Sequence, residues 1–158
     1  MDFKRVANSF KEDSVRETII LPLLLRLGYK QENIIHSKTL KHPFLKIGSN
    51  KKISVRLVPD YLLKVEKNYA CALDAKVPTQ SVNSDDNIGQ VYLYAAHPEV
   101  RSTYFALYNG AQFSLFRTSG ANITILFFNV EDIEGYWGKL AMYLSSSSFH
   151  IGKNFTTI

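Results

Sequence analysis

The chain has 158 residues, 46% of them apolar and 21% charged, with a net charge of +5. That length suits one domain around one core, and the apolar content is enough to offset folding entropy, which excludes a largely disordered chain. A lone cysteine, Cys71, excludes an internal disulfide framework and a cysteine-based zinc site.

From Ser14 to Leu27, apolar residues Val15, Ile19, Ile20, Leu23, Leu24 and Leu27 recur at helical spacing. Pro22 is expected to kink or break this helix, and Gly28 to close it in a left-handed conformation. The middle of the chain is strand-like: Ile53–Val58 alternates, and Tyr61–Val65 and Tyr69–Val77 flank Glu66-Lys67-Asn68. A helix is expected from the capping group Asn83-Ser84-Asp85-Asp86 to about His97-Pro98. Strands Thr103–Tyr108 and Gln112–Arg117 flank the hairpin signal Asn109-Gly110-Ala111, and Ile123–Phe128 follows. A last helix begins after Asn129 and carries Ile133, Trp137, Leu140, Ala141 and Leu144. This order predicts an α/β fold with a central mixed β-sheet flanked by helices, with 1–144 as a single domain. The serine run Ser145–Ser148 opens a 145–158 segment read as a tail, or the start of a linker to a larger protein.

The charge is uneven. Residues 1–76 hold fifteen basic and eight acidic residues, or +7, whereas the remainder holds four and six, or −2. From His36 to Arg56 there are six basic residues (Lys38, Lys41, Lys46, Lys51, Lys52 and Arg56) and no acid. Such a stretch offers contacts to a phosphate backbone, although lysines on a solvated strand edge also deter edge pairing. The longest apolar run is too short to span a bilayer and Met1–Arg5 opens no signal-peptide core, so no membrane contact and a cytoplasmic location are expected.

The chemistry-bearing residues lie in Pro59-Asp60-Tyr61 and Asp74-Ala75-Lys76. In a hairpin turning at Lys67, cross-strand partners have numbers summing to 134, so Asp60 faces Asp74 and both carboxylates share a face with Lys76. Two opposed carboxylates repel, and a divalent cation between them resolves the conflict. Water beside that cation and an ammonium group is set up to attack a phosphodiester. A surface ion pair accounts for Asp-x-Lys equally, and a slip of one residue in register would separate the acids.

Pro59-Asp60, a strand-length gap and Asp74-Ala75-Lys76 together resemble the PD-(D/E)XK nuclease motif, with Asp in place of the commoner second Glu. Glu12-Asp13-Ser14-Val15-Arg16, followed by Ile20–Leu24 and Leu27-Gly28-Tyr29, resembles the opening helix of the N-terminal nuclease domain of type I restriction enzyme R subunits. Gln90-Val91-Tyr92-Leu93-Tyr94 is similar to the Gln-x-x-x-Tyr element of that branch, and Tyr108–Phe113 to its late hairpin. The resemblance spans about residues 10–117. It implies a restriction-endonuclease-like core and Mg²⁺-dependent cleavage of DNA, with Mn²⁺ as substitute. It further implies that Asp60, Asp74 and the Ala75 carbonyl bind metal and that Lys76 serves the attacking water. Glu12 is the candidate additional acid, with Glu17 as the fallback. Gln90 and Tyr94, four apart, share a helix face and are expected to point towards the site or the DNA. Lys51, Lys52 and Arg56 complete the expected DNA-contacting or site-supporting set, together with Arg16, which is placed to contact either phosphate or Glu12, four residues earlier.

In such a system the partners are DNA, a translocase domain and modification and specificity subunits outside these residues; no Gly-x-x-x-x-Gly-Lys-[Ser/Thr] phosphate loop occurs within them. A catalytically silent nucleic-acid-binding or docking module on the same fold is the alternative, and a nuclease for RNA or single-stranded ends would use the same residues. His36, His42, His97 and His150 lack ligand spacing and read as structural or surface residues. Cys71 reads as a small buried apolar residue, and most of the aromatics as core.

Overall fold

The computed structural model describes residues 20–47, 53–120 and 123–149. Helix α1 spans Leu21–Arg26, with Pro22 in its first turn, where a missing N–H is least costly. The expected helical residues from Ser14 to Ile19 lie outside the described residues. Gly28, at φ +96°, closes α1: its N–H donates to Leu25 O (3.0 Å) and the Tyr29 N–H to Leu24 O (3.1 Å). These two bonds satisfy carbonyls that the helix end leaves open.

Eight strands follow: β1 Ile34–His36, β2 Leu40–Ile47, β3 Ile53–Leu57, β4 Tyr61–Val65, β5 Asn68–Ala75, β6 Tyr104–Tyr108, β7 Gln112–Arg117 and β8 Thr124–Asn129. Helix α2 (Asp85–Ala96) lies between β5 and β6, and α3 (Ile133–Leu144) follows β8. Six strands form one sheet in the order β1-β4-β5-β6-β7-β8, while β2 and β3 form a separate two-stranded ribbon. Within the sheet only β5 and β6 run parallel. A parallel pair needs a crossover, and α2 supplies it. The Ser84 hydroxyl accepts the Asn87 N–H at 3.2 Å, so the capping group read from the sequence does start α2.

The sheet is buried on both faces. Val91, Tyr94 and Ala95 of α2 pack with Leu62, Ala72, Phe105 and Leu107 on one side. Leu24 of α1 and Leu140 and Leu144 of α3 pack with Leu63, Leu73, Phe113 and Leu115 on the other. Alternate strand residues therefore serve opposite layers. Cross-strand partners Phe105 and Phe116 stack at 5.0 Å, and Phe113 and Phe128 at 5.4 Å, fixing the register where both faces are apolar.

Two local features depart from a simple alternation. The β4–β5 register runs Tyr61↔Leu73, Leu62↔Ala72 and Leu63↔Cys71, then slips to Lys64↔Tyr69 and Val65↔Asn68. Ala70 is thus an extra residue, a bulge that turns Ala70 and Cys71 towards the same layer. Ser145–Phe149, read from the sequence as the start of a tail, folds back on α1. Ser146 donates its N–H to Leu27 O (2.9 Å) and its hydroxyl to Gly28 O (2.9 Å), and Phe149 meets Tyr104 edge to face at 6.0 Å. Among the described residues, no helix is long and apolar enough to cross a membrane.

Candidate active site

Asp60 stands immediately before β4, and Asp74 is the penultimate residue of β5. The pairs Tyr61↔Leu73 and Leu62↔Ala72 sum to 134, so Asp60 comes opposite Asp74, as the hairpin arithmetic requires. The slip at Ala70 occurs nearer the turn and leaves this end of the register intact.

The two acids are held by backbone amides. The Asp60 N–H donates to Asp74 Oδ1 at 3.1 Å, and the Ala75 N–H donates to Asp60 Oδ2 at 2.8 Å. Each carboxylate therefore converges on the other's main chain, and two amide dipoles offset part of the repulsion between them. Lys76 continues the strand past Asp74 on the same side. Its Nζ lies 3.0 Å from Asp74 Oδ2 and donates to Gln90 Oε1 at 2.7 Å. Asp74 is only 4% and Lys76 only 7% exposed. A charge that deep is tolerated only when paired and hydrogen-bonded, and both conditions are met here.

The surroundings fix these groups from behind. The Lys76 N–H donates to Tyr108 O at 2.7 Å, extending the parallel β5–β6 ladder by one residue. Asn109 donates its side-chain amide to Gln80 O (2.8 Å), and the Ser114 hydroxyl donates to Val82 O (2.8 Å), so the segment from Lys76 to α2 is pinned to the β6–β7 hairpin. The Ser37 N–H reaches Asp60 O at 3.0 Å from the end of β1. Sequence reasoning placed none of these supports, since each joins residues far apart in the chain. Only the Asn109-Gly110 turn signalled one: Asn109 Oδ1 accepts from Ala111 N–H (3.0 Å) and Gln112 N–H (2.7 Å), with Gly110 at φ +90°.

Of the other residues singled out, Gln90 is exposed on α2 and turned to Lys76. Tyr94 is buried with Val91 and Ala95 in the layer between α2 and the sheet. The four-residue spacing on α2 thus leads from the site into the core. Glu12, Arg16, Glu17, Lys51 and Lys52 lie outside the described residues, and Arg56 is described by its backbone, opposite Lys41. Cys71 is fully buried, and burial raises its thiol pKa well above the ordinary range. His97 is buried and its Nδ1 accepts the Glu99 N–H at 3.1 Å, a local structural role.

Among the described residues, no group of three or more His, Cys, Asp or Glu side chains gathers. The donor set present is two carboxylates. A hard cation such as Mg²⁺ takes one or two carboxylates and completes its shell with waters and phosphate oxygens, which fits this set.

No family model matches the chain, and no curated protein does. Among solved structures, it is similar to a chain of the DrdV–DNA complex determined by cryo-electron microscopy, at 15% identity and a TM-score of 0.55. That match covers 90% of this chain but only 13% of the DrdV chain. At this identity the likeness is one of fold: an α/β, restriction-endonuclease-like core with a mixed six-stranded sheet flanked by helices.

Proposed function

We propose that this chain is a metal-dependent deoxyribonuclease domain of the PD-(D/E)XK type, hydrolysing phosphodiester bonds in DNA as the cleavage module of a type I-like restriction system. The observation that carries this reading is the convergence of Asp60, Asp74 and Lys76, held by the Asp60 and Ala75 amides and by Gln90. An acid-acid-lysine set in which Asp74 and Lys76 are buried is costly for a merely structural hairpin, and carboxylate oxygens suit a hard cation. The fold likeness to the DrdV chain, which is bound to DNA, supports DNA as the partner.

In this reading Asp60 and Asp74, with the Ala75 carbonyl, hold Mg²⁺ or Mn²⁺, and Glu12 supplies the additional acid. An ion held there would supply Lewis-acid chemistry, activating water and offsetting charge on the phosphate. Lys76 orients the attacking water, and its ammonium favours the negative charge of the transition state. Gln90 steadies Lys76, because its carbonyl accepts from the same ammonium that pairs with Asp74. The translocase domain and the modification and specificity subunits of such a system lie beyond these residues, and its place is the cytoplasm.

The test is supercoiled plasmid incubated with Mg²⁺ or Mn²⁺, paired with calorimetric titration of Mn²⁺. Nicking and Mn²⁺ binding by the parent are expected, with Asp74→Ala losing both and Lys76→Ala losing cleavage alone. A parent that neither cuts nor binds Mn²⁺ overturns the proposal, and DNA binding without either identifies a silent module on the same fold.

A further inference from the structure

The β2–β3 ribbon is not explained by the sheet it interrupts. It is inserted between β1 and β4, which pair directly with each other (Ile34↔Leu63, His36↔Tyr61), so the sheet closes without it. Its neck is the Ser37 N–H to Asp60 O bond at 3.0 Å, which roots the ribbon on a residue of the acid cradle. Leu40, the first ribbon residue, is fully buried in the layer with Leu62 and Ala72, the side on which Asp74 and Lys76 also lie. The ribbon therefore leaves the molecule beside the two carboxylates, on their side of the sheet.

Its charge is one-sided. Between Glu32 and Asp60 the chain has six basic residues and no acid. Lys41 pairs directly with Arg56, and Lys46 lies opposite Ser54. The register thus gathers basic residues at opposed positions of the ribbon. The register shifts between Lys41 and Lys46, where β2 has four residues (His42, Pro43, Phe44, Leu45) against Val55 alone. Pro43 sits in that irregularity, as a ladder residue without an N–H should, and such an insertion bends and twists a two-stranded ribbon. Lys38 and Lys64 extend the positive ground at the root, their Nζ atoms 5.9 and 5.3 Å from the Tyr69 ring centre.

We propose that the β2–β3 ribbon, which the register loads with Lys41, Lys46 and Arg56, is a DNA-gripping arm that binds the phosphate backbone of duplex DNA alongside the phosphodiester presented to Asp60 and Asp74. The proposal deepens the nuclease reading and rests on it for the choice of DNA. A strand of eight residues reaches about 25 Å, and the major groove admits a two-stranded ribbon.

The experiment is equilibrium binding of a short fluorescent duplex in EDTA, repeated over a range of salt. It compares the parent, a Lys41→Ala/Lys46→Ala/Arg56→Ala triple variant, and a charge-preserving Lys41→Arg/Lys46→Arg/Arg56→Lys variant. Each lost phosphate contact lowers the slope of log K against log salt by about 0.9, so the triple variant should lose roughly 2 to 3 units and on the order of 100-fold in affinity at low salt. The charge-preserving variant should bind like the parent. A triple variant with parental slope and affinity overturns the arm, as does a loss matched by the charge-preserving variant, which would mark a folding defect. Tighter binding to single strands or RNA than to duplex overturns the choice of duplex DNA. Because no metal is present, ribbon-dependent binding by a parent that never cleaves would uphold the arm while the hydrolytic reading fails.

Discussion

Asp60 donates its backbone N–H to the Asp74 carboxylate at 3.1 Å, so the main chain of one acid holds the side chain of the other. Asp74→Asn retains an oxygen for this bond but removes the charge paired with Lys76, whereas Asp74→Ala removes both. If the cradle binds a divalent ion, Mn²⁺ raises the melting temperature of the parent, since an ion that binds only the folded state at 100 times its Kd adds about 2.7 kcal/mol. Differential scanning fluorimetry with and without Mn²⁺ checks this. The shift should vanish in Asp60→Ala and Asp74→Ala and shrink strongly in Asp74→Asn. An undiminished shift in Asp74→Ala would place the ion elsewhere.

In the proposed nuclease reading Gln90 positions Lys76, and it accepts from that ammonium at 2.7 Å. A hydrogen bond to a charged group contributes about 1.5–3 kcal/mol, equivalent to roughly 10- to 100-fold in rate if it is needed only to aim the lysine. Gln90→Ala is therefore expected to lower kcat by that range with KM little changed. Gln90→Glu keeps an acceptor in place and should retain more activity. Single-turnover cleavage assays separate the two parameters, and a Gln90→Ala enzyme with parental kcat would remove Gln90 from the site.

The acid pair was legible in the sequence because a strand has a strict period of two. Once the turn is placed, Asp60 and Asp74 have only two relative placements, facing or offset. The observed register keeps them facing although the arithmetic fails at Lys64 and Val65, because the Ala70 bulge absorbs the error before it reaches the site. Strands β1 and β2 were not legible. Ile34–His36 is only three residues long, and Pro43 breaks the pattern of Leu40–Ile47. Tyr94 shows the limit of helical spacing. Position i+4 from Gln90 is on the same general face of α2, yet it lies one turn further along, where that face meets Leu62, Phe105 and Leu107.

Gly28 is expected to be intolerant of a side chain for two separable reasons. Its φ of +96° disfavours any L-residue, and an added Cβ would lie 2.5 Å from Ser146 Oγ. Gly28→Ala should lose about 1–3 kcal/mol in urea unfolding. Adding Ser146→Ala should recover only the part due to crowding. Full recovery would mean that backbone conformation contributes nothing at this helix end.

Tyr108 carries a buried hydroxyl with no hydrogen-bond partner among the described residues. Burying an unpartnered hydroxyl costs free energy that the ring's packing must offset, so removing it relieves a penalty instead of breaking a bond. Tyr108→Phe is expected to be neutral or to stabilise by about 1 kcal/mol, in contrast to Tyr29→Phe, which loses the 2.7 Å bond to Leu144 O. Parallel thermal and urea melts of the two variants compare the signs. Equal destabilisation would show that the Tyr108 hydroxyl is satisfied in solution.

Stability should fall in alkaline solution, because three buried acids resist ionisation. Burial holds the Cys71 thiol above its ordinary value of 9.0, and the Tyr29 and Tyr108 hydroxyls above their ordinary 10.0; for Tyr29 the nearby Cys71 adds to the effect. In the unfolded chain these groups release their protons near the ordinary values, whereas the folded protein keeps them. The folded state thus binds more protons above pH 9, and its stability declines with rising pH by about 1.4 kcal/mol per pH unit for each group past its unfolded pKa. Below pH 9 the contribution is fully present. Urea midpoints measured from pH 7 to 10.5 should be flat at first, bend near pH 9 and steepen near pH 10. Cys71→Ala should remove the first bend and leave the second. A parent whose midpoint stays constant to pH 10.5 would mean that these groups are hydrated enough to ionise within the native fold.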